Sequence, residues 1–168
     1  MFVIKCQLLV TAVLALCAAS PAAQSQSPTS GPLSPALRTH LAAERFQIVT
    51  SVRGLPLGVR ERMQQLFGSG TLDIAEPGAA FRQKDAPANA ALPLRRLVAA
   101  GCAADNHCLV YYERGGTPLT RRVALFHWTP NETRFEWGGT APAGLATVED
   151  VRRAIASGKI TGGQTVPW

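Results

Sequence analysis

Residues 94–137 read LRRLVAAGCAADNHCLVYYERGGTPLTRRVALFHWTPNETRFEW, and the period of their apolar positions decides the fold. Short apolar runs recur around residues 94–99, 108–113, 123–128 and 134–137, bounded by small and polar residues, which is the pattern of strands rather than helices. Gly115-Gly116 and Thr129-Pro130-Asn131 separate the last three runs and carry turn chemistry. The stretch therefore predicts an antiparallel meander. A further short apolar run at 72–74 raises the expected strand number to between four and five.

Outward from the meander the period changes to that of helices. Toward the N-terminus, Ser34-Pro35 reads as an N-cap followed by proline in the first helical position, with Leu37, Leu41 and Phe46 on one side. Pro56 opens a second helix in which Val59, Met63, Leu66 and Phe67 fall at helical spacing, and Gly68 stands where a left-handed residue ends it. Toward the C-terminus, Thr147 reads as an N-cap with Asp150 as its reciprocal partner, and Val148, Val151 and Ile155 form a stripe before Gly158. Two helices, a run of strands and a closing helix make the fold class α+β, one domain over residues 35–168. Alternation puts Val110 or Tyr111, Leu125, Phe135 and Trp137 in its core.

The chain has 168 residues, 46% of them hydrophobic and 17% charged, with a formal charge of +6. Twelve Pro and fifteen Gly exclude a collagen-like or wholly low-complexity chain. At the start, Lys5 and the apolar run 8–19, followed by Ser20 and Ala22, read as a secretory signal peptide over residues 1–22, with an uncleaved anchor as the other reading. Residues 23–34 (AQSQSPTSGPLS) form a Ser/Pro-rich disordered tether, since Leu33 alone cannot offset the entropy of ordering them. No later stretch reaches the ~20 apolar residues of a membrane-spanning helix. The expected location is periplasmic or secreted.

Cleavage removes Cys6 and Cys17 and leaves Cys102 and Cys108, which an oxidising compartment joins in a disulfide. Closing so short a loop constrains the unfolded chain by about 2.4 kcal/mol. It also fixes the shape of the loop that holds Asp105, Asn106 and His107. That loop is either a staple between two strand ends or a preorganised insert for a partner's cleft, where rigidity lowers the entropy lost on binding.

Other candidates for chemistry are few. His40, His107 and His127 are the three histidines, and no nucleophile elbow, phosphate loop, zinc-protease or dinucleotide motif accompanies them. The chain is therefore expected not to be an enzyme; a hydrolase using His127 and a nearby carboxylate is the competing view. His127 shares a strand face with Val123 and Leu125 and reads as a half-buried structural histidine. Cys102, Cys108 and His107 lack the second close cysteine pair of a zinc knuckle, so neither a metal nor a cofactor is expected. Arg95-Arg96 and Arg121-Arg122 lie on strands, where neighbours point to opposite faces, and do not add up to one basic patch. Nucleic acid is not an expected partner. An anionic envelope polymer is, through net charge.

The span from Leu94 to Trp137 resembles the bacterial inhibitors of vertebrate lysozyme, the Ivy family, in which a strand leads into a disulfide-closed Cys-Lys-Pro-His-Asp-Cys loop followed by antiparallel strands. The loop here is one residue longer and places Asp105 ahead of His107. The resemblance implies an exported α+β inhibitor whose His107 and Asp105 enter between the catalytic carboxylates of a lysozyme-like cell-wall glycosidase. The alternative is a small basic envelope protein that binds anionic polymer or another periplasmic protein without inhibiting anything.

Overall fold

A computed structural model describes residues 31–84, 90–104, 106–162 and 168. The expected leader and most of the expected tether lie outside the described residues, as does Asp105. Helix α1 (Pro35–Ala43) starts where Ser34 Oγ accepts from Leu37 N–H at 3.2 Å. Strand β1 (Gln47–Val49) and a 3-10 turn (Val52–Gly54) lead into α2 (Leu57–Phe67), which ends at Gly68 in the left-handed conformation, φ 63°. The meander is β2 (Arg95–Cys102), β3 (His107–Arg114), β4 (Thr120–Trp128) and β5 (Thr133–Thr140), followed by α3 (Val148–Ala156) and β6 (Thr161–Gly162). The chain is thus α+β, with the two N-terminal helices and the C-terminal helix where the sequence puts them.

The sheet is antiparallel and runs β1-β2-β3-β4-β5-β6 in order. Its short outer strands were not legible in the sequence, and the run at 72–74 is not a strand. The backbone pairing of that segment with β2 is limited to the parallel bridge Ala75–Arg96 just beyond it, with the Asp73–Arg95 ion pair at 3.0 Å beside it; Glu76 instead accepts the Val52 N–H at 2.7 Å.

Both faces of the sheet are covered. Leu109, Tyr111, Val123, Leu125 and Trp137 pack with Leu41 of α1 and Val151 and Ile155 of α3. On the other side Val110, Tyr112, Ala124 and Phe126 pack with Val59 and Met63 of α2. Two-sided burial explains why the choice between Val110 and Tyr111 has no single answer: both are buried, each in its own layer. Phe135 is half-buried against the α2 layer. Leu33, placed by its sequence in the tether, is 6% exposed within the α1/α3 layer, and Trp137 Nε1 donates to the Gly31 carbonyl at 3.1 Å. One apolar side chain and one hydrogen bond hold that end of the segment to the sheet.

Candidate functional site at the hairpin end of the sheet

The β2–β3 hairpin turns at one end of the sheet, and Cys102 and Cys108 are directly opposite across it. Their sulfurs are at bonding distance, with the Cα atoms 4.0 Å apart. Ala103 N–H donates to the His107 carbonyl at 2.7 Å, so the turn closes early and His107 belongs to β3 rather than to a projecting loop. Ala104 is exposed and Asn106 half-buried.

His107 is only 5% exposed, because the C-terminal end of α1 covers it. Its Nδ1 donates to Glu44 Oε2 at 2.8 Å, and its Nε2 is 3.3 Å from Glu136 Oε2. His127 lies opposite it on β4, with ring centroids 6.1 Å apart. His40, one helical turn before Glu44, stacks edge-on at 5.4 Å. All three histidines of the chain are therefore in one cluster with two glutamates. Burial pulls the His107 imidazole toward its neutral form, but the facing carboxylates of Glu136 and Glu44 outweigh it and raise its pKa. Glu136 is held below the usual carboxylate range, mainly by His107.

Glu136 reaches the cluster through a register shift. Leu125 pairs with Trp137 but Phe126 pairs with Phe135, so Glu136 is the extra residue of a bulge, which re-aims a side chain that regular alternation would turn elsewhere. The Asn106 amide nitrogen donates to His40 Nε2 at 2.7 Å. That nitrogen then has no proton for Glu44 Oε1, 3.7 Å away, and Oε1 is buried without a hydrogen bond among the described residues. Two overlapping triads, His40/Glu44/His107 and His107/His127/Glu136, each bring their donor atoms within 4.8 Å of one another.

On the opposite face of the same end is an open cleft of about 460 Å³, lined by Ile48, Val49, Pro56, Cys102, Ala104 and Trp128 among others. Ile48 is 65% exposed at its rim.

The sequence singled out His107 and Asn106 but missed Glu44 and Glu136, and it treated His127 and His40 separately. One signal was readable. His107 and His127 are equidistant from Thr117, in the turn that follows Gly115-Gly116, so a simple meander puts them face to face. No motif marks Glu44, and a bulge is not visible in alternation. Comparison with family models, curated proteins and solved structures returns no match.

Proposed function

We propose that the chain is an exported binding protein that meets a protein partner, a cell-wall glycosidase, with the hairpin end of its sheet. The observation that supports this reading is the open cleft beside the disulfide hairpin, lined by both polar and apolar residues, with Ile48 exposed at its rim. A concave surface beside a disulfide-closed turn costs a partner little ordering entropy on binding. The contact differs from the one the Ivy resemblance implies. His107 is engaged by Glu44 and Glu136 inside the fold, so Ala104, Asn106 and Ile48 are the contact residues, and Asp105 lies outside the described residues. The chain's positive charge favours an acidic enzyme over a strongly basic one, through faster encounter.

The test is inhibition of a panel of lysozymes and lytic enzymes, acidic members included, by the wild type and by Ile48→Asp and Ala104→Arg. At least one acidic enzyme is expected to be slowed at micromolar protein, with a loss on the order of tenfold or more in each variant. If no enzyme is slowed, the glycosidase partner is dropped. The reading as a polymer-binding envelope protein, which rests on net charge alone, then takes its place.

A further inference from the structure

We propose that His107, His127 and Glu136 form a binding site for a divalent first-row transition-metal ion, zinc above all, with Glu44 as the group that orients His107. Adjacent strands set His107 directly opposite His127, and the bulge in β5 swings Glu136 onto the same face. The three donor atoms lie within 4.8 Å of one another. Around a tetrahedral zinc ion with ligand bonds of about 2.0–2.1 Å, neighbouring donors sit roughly 3.3 Å apart. His107 Nε2 and Glu136 Oε2 are 3.3 Å apart, and Oε2 is buried without accepting an aligned hydrogen bond among the described residues. That spacing is the one two ligands of a single ion would have.

Glu44 supports the arrangement from behind. Its Oε2 accepts the Nδ1–H of His107 at 2.8 Å, which leaves Nε2 as the ligating nitrogen; a carboxylate behind a histidine is the usual outer partner of a metal-bound imidazole. This also decides between the two triads. In the His40/Glu44/His107 group His107 would have to ligate through Nδ1, whose proton Glu44 holds, and His40 Nε2 already accepts from Asn106. Two imidazoles and one carboxylate suit zinc, copper or nickel rather than calcium or magnesium. Cys108 belongs to the opposite layer and contributes nothing. With the ring proton on Nδ1, Nε2 offers its lone pair to the ion directly, so binding breaks no bond and changes no oxidation state. His127 and Glu136 are half-buried, so solvent or a bound ligand completes the coordination.

The experiment is equilibrium dialysis of the untagged, chelator-treated protein, disulfide intact, against zinc chloride, with cobalt(II) as a spectroscopic substitute. One zinc per chain is expected, with half-saturation on the order of 10 μM or tighter, and cobalt should give visible bands of tetrahedral intensity. His127→Gln and Glu136→Gln should weaken binding at least about tenfold, and Glu44→Gln by about 10–100-fold with stoichiometry kept. His40→Ala should bind as wild type does. His127 and Glu136 are not core residues, and circular dichroism establishes that their variants fold. The proposal is overturned if the wild type shows no saturable binding, or if His127→Gln and Glu136→Gln bind as wild type does. Loss in His40→Ala with retention in His127→Gln overturns it too, by assigning the ion to the other triad.

Discussion

Gly115 shows how a correct residue reading can have the wrong cause. The sequence marks Gly115-Gly116 as turn chemistry, and the chain does turn there. What requires the first glycine is a neighbour far away in sequence: a Cβ at Gly115 would stand 1.7 Å from the Arg82 carbonyl oxygen, because Gly115 N–H donates to Leu94 and Gly116 N–H to Gln83 as that segment crosses the hairpin. Backbone cannot step aside as a flexible side chain can. Gly115→Ala should therefore cost on the order of 1–3 kcal/mol, whereas Gly70→Ala, where an added Cβ meets nothing within 4 Å, should be nearly neutral. Urea denaturation of the two variants is the check, and equal midpoints would refute the argument. The same distinction applies to His107. Its place next to Cys108 was legible, but its burial depends on the end of α1, more than sixty positions earlier.

At the scale of elements, legibility follows the strength of local signals. Helix α3 was read from its cap, and the cap is present in full: Thr147 Oγ1 accepts from Asp150 N–H at 3.1 Å, and Asp150 Oδ2 accepts from Thr147 N–H at 3.0 Å. Strand β1 escaped because it is three residues long with two of them exposed, too short for alternation to register. Helix α3 also anchors α1, since Arg152 donates from Nε to the Leu41 carbonyl at 3.0 Å and from an amino nitrogen to that of Ala42 at 2.6 Å, closing the C-terminal end of α1 with a cation as the helix dipole favours. Thr147→Ala should cost about 1 kcal/mol and loosen both helices together. Asp150 adds a pH dependence of known sign. The Thr147 hydroxyl, the Ala146 and Thr147 amides and Arg153 lower its pKa to about 2 from an ordinary 3.8. A carboxylate depressed in the folded state stabilises fully above the unfolded value and loses that contribution as pH falls through the folded one. Thermal unfolding between those two values should thus be less pH-sensitive in Asp150→Asn than in wild type, and parallel curves would count against the cap.

For the whole molecule, a meander with helices on both faces explains which parts of the sequence were informative. Seven consecutive buried residues in β3 erase the in–out alternation that a one-sided sheet would show, so strand existence was plain and facing was not. The disulfide adds little to that sheet in the folded state. It joins residues already opposite in a strand pair whose central strands are fixed by both layers, so the native sheet does not need the bond to set its register. Its contribution lies in the unfolded chain, where closing the short loop removes conformations worth about 2.4 kcal/mol. The double variant Cys102→Ala/Cys108→Ala is the suitable probe, because Cys108 is fully buried and serine would bury an unpaired hydroxyl. It should keep the wild-type far-UV and near-UV spectra while its stability in urea falls by about that amount, with some further loss from the missing sulfur. Wild type, left unreduced, should show no alkylatable thiol at Cys102 or Cys108 by mass. A double variant that fails to fold would mean the bond sets the hairpin rather than merely restricting the unfolded chain, and one with unchanged stability would mean the bond does neither.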